Sequence, residues 1–319
     1  MFLSPEVITV AILESIITLF ATLAFVIALT IVKSWNSDRT TSYQYTLEKR
    51  GYLGSIIIKY MLGLKILLFL FYIFTLDKIS FVIPGAMCAA GVVNADSLTT
   101  PLLFLKLLNL YLFFYWIIID REDNENENQP YIKLKFQLFI LLYLLLMVEI
   151  FLELYTLFGI DVKSVVDCCG AIFSDKDGSY IVKVLEMPKV LLLLFFYGSF
   201  LLLWLFRGMR NRYLFSLSNL LFLLIALMSL IAFFGTYIYE LPTHHCPFCL
   251  LQEDYNYIGY FLYTVLFLGT FYGMLVGIFP LSEKREKSSY RYALFFNTLY
   301  TIIVSAYPLH YFYLNGVWL

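Results

Sequence analysis

Eight apolar runs, each close to the length that carries a helix across a bilayer, constrain this chain more than any other feature. They cover roughly residues 6–32, 55–76, 101–120, 136–158, 190–206, 217–239, 257–279 and 293–313. A span needs about 20 mostly apolar residues, because the hydrocarbon core is ~30 Å thick and each helical residue rises ~1.5 Å. No water reaches that core to satisfy backbone amides, so runs of this length specify helices, whose amides are satisfied internally. The predicted fold class is therefore all-α: a polytopic helical bundle with about eight transmembrane helices in one membrane domain over 1–319. A faint internal echo suggests four-plus-four halves at 1–160 and 161–319. "PGAMC" (84–88) and "PTHHC" (242–246) share Pro-x-x-x-Cys, each between the second and third helix of a half.

Charge excludes one class of partner. Only 14% of the residues are charged, against about 25% in an ordinary soluble domain, and the net charge of −1 offers no basic face. The lipid bilayer is the expected partner, and nucleic acid is not. The first run has no basic residue before Lys33 and is longer than the core of a signal peptide, so it reads as a retained span.

Lys and Arg accumulate in loops on the cytoplasmic side. The loops at 33–54, 120–135, 207–216 and 280–292 hold 14 of them, from Lys33 through Lys135 to Arg291, whereas the termini and the alternating loops hold 5. Both termini are therefore expected outside. The same threading puts Cys88, Cys168, Cys169, Cys246 and Cys249 in outward loops, along with His244 and His245, and puts His310 near the outer end of the last span.

In "HHCPFC" the sulfurs of Cys246 and Cys249 are three positions apart, within disulfide reach on one face if the seventh helix begins there. A helix N-terminus favours a thiolate through its unpaired N–H groups, and Pro247 suits the first turn, where an amide hydrogen is not needed. On that reading Cys246 is the exposed exchanging sulfur and Cys249 its partner one turn deeper. A Cys-x-x-Cys at the outer mouth of a membrane helix, with further cysteines in outward loops, resembles the vitamin K epoxide reductase family and the bacterial quinone-coupled disulfide-bond oxidases. The resemblance implies a membrane thiol-disulfide oxidoreductase in which Cys246 exchanges with Cys88, Cys168 or Cys169 and Cys249 lies beside a quinone. It also implies an extracytoplasmic thiol protein as partner and a bacterial inner membrane as location, with the active face outward.

The adjacent pair Cys168 and Cys169 would close a strained ring if joined to each other. One of them is expected either to relay electrons or to pair with Cys88 in a static bridge between outward loops, and Gly170 permits the close approach that exchange needs. The segment 81–93 around Cys88 is apolar but too short to span, which suits a re-entrant or interfacial loop. A second reading uses the same atoms for metal: His244, His245, Cys246 and Cys249, with Met87 and the other cysteines nearby in type, make a soft donor set for copper or zinc. This would be a metal-handling or metalloprotein assembly factor. A third is a structural subunit of a membrane complex.

Four ionisable residues fall in the outer halves of spans: Glu14, Lys106, Glu149 and Glu153. Each costs several kcal/mol at the centre of a bilayer unless paired or wet. Glu149 and Glu153 lie four apart on one helical face and predict either a proton relay or an ion pair with Lys106. Lys59 and Lys65 fall in the inner half of the second span, where Lys59 can snorkel and Lys65 requires a partner. Gly269, Gly273 and Gly277 recur every fourth residue and predict close packing by the seventh helix.

Overall fold

The computed structural model describes residues 4–36, 41–126, 129–160, 166 and 187–319. The first compact unit, Met1–Val166, contains α1 (Pro5–Ser34), α2 (Ser42–Ser80), the short α3 (Ala89–Ala95), α4 (Thr99–Glu125) and α5 (Ile132–Gly159). The second, Asp167–Leu319, contains α6 (Lys189–Gly208), α7 (Arg212–Tyr239), α8 (Ile258–Ile278) and α9 (Glu283–Asn315). All of these except α3 are long and apolar enough to cross a membrane, and no strand occurs among the described residues. The chain is a multi-pass helical membrane protein.

α1 shows how such a helix is built. The Ser4 hydroxyl accepts a hydrogen bond from the Val7 amide at 3.3 Å, and Pro5 follows where its missing amide hydrogen costs nothing. The buried stripe is Val7, Val10, Glu14, Ile17, Ala21, Ala24, Ala28 and Ile31, while Ile12, Ile16, Leu19, Leu23 and Val26 are exposed. The outside is thus as greasy as the inside, as lipid requires, and the inner face holds the small residues and the one buried acid, Glu14. Those alanines let neighbours approach closely. On α2, a Cβ added at Gly54 would come within 2.9 Å of Ile27.

Within the first unit α1 packs on α2, α2 on α4, α4 on α5, and α5 back on α1. Within the second, α6 packs on α7, α7 on α8, α8 on α9, and α9 back on α6. Each unit is a ring of four spans in chain order, with its short non-spanning elements inserted between the second and third.

Several helices run well beyond the apolar stretches. α2 begins at Ser42 rather than near 55, capped by the Thr41 hydroxyl, which accepts from the Gln44 amide at 3.2 Å. α9 begins at Glu283 rather than near 293, with acids Glu283 and Glu286 in its first turn and a Glu283–Lys287 pair at 2.5 Å one turn apart. α4 continues to Glu125. Hydropathy marks only the part of a helix that lies in lipid, whereas caps and charge pairs carry it further. Lys135, expected in a cytoplasmic loop, is buried in the first turn of α5, so it is not a free loop charge.

Candidate functional site

The Cys-Pro-Phe-Cys segment lies between α7 and α8, and its shape follows from an irregularity in α7. Residues Leu230–Phe234 form a π-helical turn, which alters the regular spacing of amides and carbonyls. The Ile231 carbonyl accepts a hydrogen bond from Nδ1 of His245 at 3.0 Å. A carbonyl can only accept, so the proton of that bond resides on Nδ1. α7 then ends at Glu240, whose φ of 56° turns the chain back on itself. Two further side chains clamp the returning backbone. The Tyr239 hydroxyl donates to the Cys246 carbonyl, and the Tyr263 hydroxyl donates to the Pro247 carbonyl at 2.8 Å. The turn also lies hard against the start of α8, since a Cβ on Gly259 would meet the Leu250 backbone at 2.9 Å.

The result is a fixed turn in which the sulfurs of Cys246 and Cys249 lie within 4.8 Å of each other. Tyr239 supplies an aromatic wall, its ring meeting His244 edge-on at 4.4 Å and Tyr255 at 4.7 Å. His244 Nε2 is buried and has no hydrogen-bond partner. The crevice beside Cys246, lined in part by Leu230, Gly235 and His245, has no room for a water molecule, so a ring-sized guest enters only if the turn moves.

Three expectations about this segment are corrected. α8 begins at Ile258, and Cys249 lies in a separate 3-10 turn, Cys249–Leu251, so neither sulfur sits at a helix start and Pro247 is not in a first helical turn. The reason is local: Asn256 and Tyr257 adopt φ of 51° and 55°, which no α-helix can contain. Cys246 is also not exposed. It is fully buried and Cys249 is 5% exposed, on a turn whose backbone the two tyrosine hydroxyls clamp. Finally, the four-ligand metal reading is not assembled, since among the described residues neither His244 nor His245 joins the two cysteines in a group of ligand atoms close enough for one ion. The ring of His245 is instead aimed at the π turn. His310 is exposed on α9.

In the first unit, Cys88 is the extended residue that precedes α3, and it is buried, whereas Met87 beside it is 78% exposed. The segment 81–93 therefore forms a tight turn followed by a buried short helix. Gly85 permits that turn with φ of 86°, and a Cβ there would collide with the Val166 carbonyl. Cys168, Cys169 and Gly170 lie outside the described residues.

The ionisable residues of the spans converge inside the first unit. Lys65 on α2 forms ion pairs with Glu14 on α1, with Glu149 at 3.1 Å and with Glu153 at 3.5 Å on α5. Lys106 on α4 bridges Glu149 at 3.0 Å and Glu153 at 2.6 Å, and lies 4.4 Å from the centre of the Tyr72 ring. Asn109 donates to the second oxygen of Glu149. All of these side chains are at most 3% exposed. The expected pairing of Glu149 and Glu153 with Lys106 is present, and Lys65 and Glu14 complete each other in the same cluster. Helical spacing could identify Glu149 and Glu153 as neighbours, but the meeting of four helices depends on ring order, which the sequence does not display.

Two polar groupings escaped sequence reasoning. One joins Asp120 and Asp123 at the end of α4 to Lys135, at 3.1 and 2.7 Å, and to Lys59 at 2.7 Å, so Lys59 is paired rather than simply snorkelling. The other fills the glycine stripe of α8. A Cβ on Gly269 would strike Asn297 of α9, one on Gly273 would strike Asn219 of α7, and one on Gly277 would strike Ser216. Asn297 donates to Asn219 at 2.9 Å, and Asn219 donates to the Phe215 carbonyl at 2.7 Å. The only signal was an asparagine in each of two apolar runs opposite a run with glycines every fourth position.

No protein-family model, curated protein or solved structure matches the chain. The functional reading therefore rests on the chemistry of these groups.

Proposed function

We propose that the chain is a membrane thiol-disulfide oxidoreductase whose redox centre is the pair Cys246 and Cys249. The observation that carries this reading is the pair of sulfurs held within 4.8 Å on a turn fixed by three side-chain hydrogen bonds. Sulfurs so placed need only a small rotation to form one bond, and the fixed backbone spares them the entropy of finding each other. Oxidation of the pair joins the two sulfurs, releasing two protons and two electrons to a client disulfide, which becomes two thiols. Reduction is the reverse. Exchange proceeds by attack of a thiolate on a disulfide sulfur, so the closed turn must open for a client to enter.

In this reading both termini and the 240–257 loop face outward, consistent with the excess of Lys and Arg in the alternate loops. The outer face of a bacterial inner membrane is the proposed setting, with a quinone as the terminal partner of the electrons. Both follow from the resemblance of the Cys-Pro-Phe-Cys segment to quinone-coupled disulfide enzymes.

The test is to replace Cys246 and Cys249 with Ser, singly, and to trap thiols with acid and alkylate them. Each variant should shift the redox state of extracytoplasmic client thiols, and Cys246→Ser or Cys249→Ser should accumulate a mixed disulfide on the remaining sulfur. Parallel variants at Cys88, Cys168 and Cys169 report internal partners. Unchanged client thiols, together with a wild-type pair that resists mild reductant, would reject exchange in favour of a static bridge.

A further inference from the structure

We propose that Glu14 and Glu153 share one proton, which makes the interior of the first unit a proton-binding site. The inference concerns the span interior and is independent of the cysteines.

The argument begins with charge. The groups that face this cluster are Glu14 from α1, Lys65 and Tyr72 from α2, Lys106 and Asn109 from α4, and Glu149, Glu153 and Thr156 from α5. Three carboxyl groups stand against two ammonium groups. Full ionisation would leave one uncompensated negative charge, buried among helices that face lipid, where an unpaired charge costs several kcal/mol. One proton on the acids restores neutrality.

Counting donors then locates the proton. An ammonium group has three hydrogens. Those of Lys65 are spent on Glu14, Glu149 and Glu153. Lys106 spends two on Glu149 and Glu153 and presents its remaining side to the face of Tyr72. Both oxygens of Glu149 are served, one by the two lysines and the other by Asn109. After this allocation two carboxyl oxygens are buried without a donor, Oε2 of Glu14 and Oε1 of Glu153. Those same two carboxyl groups are neighbours, since the single ammonium of Lys65 pairs with both. Two ionised carboxylates repel at such separation, whereas a pair with one proton between them is joined by a short, charge-assisted hydrogen bond. A single hydrogen thus removes the excess charge and satisfies both orphan oxygens. A metal cation fits the site poorly, because it demands a shell of about six oxygens where two are left over, and would sit beside two ammonium groups.

The geometry also forecasts which substitutions the site tolerates. A glutamine at 14 or 153 carries a permanent N–H where the shared proton would lie, and it removes the excess negative charge.

The experiment is infrared spectroscopy of the full-length protein in lipid at neutral pH, reading the carbonyl stretch of protonated carboxyl groups and its shift on H/D exchange. The wild type should show a band that is absent from both Glu14→Gln and Glu153→Gln, and both variants should retain the folded yield and melting temperature of the wild type. The proposal is overturned if the band is absent from the wild type or survives in both variants. It is likewise overturned if both variants unfold, because the argument requires glutamine to fit. Stoichiometric sodium or potassium that is lost in Glu14→Gln, with no carboxyl band in the wild type, would replace the proton with a metal cation and also reject it.

Discussion

The hydroxyl of Tyr239 donates a hydrogen bond to the carbonyl of Cys246, so the last residue of α7 holds the cysteine turn shut. Removing that hydroxyl takes a hydrogen bond from a buried carbonyl, which costs about 1–3 kcal/mol in the closed state and nothing once the turn opens to water. Tyr239→Phe should therefore raise the alkylation rate of Cys246 in the reduced protein about tenfold, the change that corresponds to ~1.4 kcal/mol of opening free energy. Quantitative maleimide labelling measures it. A rate equal to that of wild type would mean that the hydroxyl does not hold the turn.

The glycine stripe of α8 makes a second prediction. At Gly273 an added methyl group runs into the Asn219 side chain and displaces its bond with Asn297, whereas at Gly63 on α2 nothing lies within 4 Å. Gly273→Ala should destabilise the protein by about 1–3 kcal/mol, the usual cost of overpacking. Gly63→Ala should leave it unchanged or stabilise it by up to ~1 kcal/mol, because alanine is the better helix former. Thermal unfolding of the two purified variants, side by side, checks both signs.

The charges at the end of α4 supply the third. Asp120 is fully buried and pairs with Lys135, which is 3% exposed, and with Lys59, whose side chain is 44% exposed. Asp120→Asn removes one of the two anions around buried Lys135, whose bridge to Asp123 at 2.7 Å remains, and should cost about 1–3 kcal/mol. Lys59→Met removes a cation that is largely wet, so its contribution falls in the surface range of about 0–1 kcal/mol, and Lys135 still bridges Asp120 and Asp123. A comparable loss of melting temperature in both variants would contradict this ranking.

Much of the architecture was legible because lipid imposes a simple rule on sequence. Runs of about 20 apolar residues must be helices, and the eight anticipated runs correspond to the eight long apolar helices. Helix ends were less legible, since the polar portions of α2 and α9 owe their extent to Thr41, Glu283 and Lys287 rather than to hydropathy. The candidate site was half visible. Cys246 and Cys249 announced themselves by spacing, but the turn that carries them is clamped by Tyr239 and Tyr263, two tyrosines among 26 with nothing in the sequence to set them apart. The expectation of a helix at Cys246 failed because positive φ at Asn256 and Tyr257 cannot be inferred from residue types that tolerate ordinary helical angles equally well.

The charge cluster of the first unit has a consequence for how the chain enters the membrane. Glu14 is made first, and the lysine of its own helix, Lys33, lies far off in the last turn, so it enters as a lone acid within a span, which opposes insertion by up to about 2.5–3.5 kcal/mol. Lys65 follows 51 residues later on the next helix, and Lys106 precedes Glu149 and Glu153 by 43 and 47 residues on another adjacent pair. The α1–α2 hairpin thus carries one acid and one lysine of the cluster, and the α4–α5 hairpin two acids and one lysine. The translocon can release α1 with α2 as an electrically matched pair, whereas α4 with α5 keeps one acid in excess, and a ribosome that stalled before Lys65 would leave α1 with its acid unmatched.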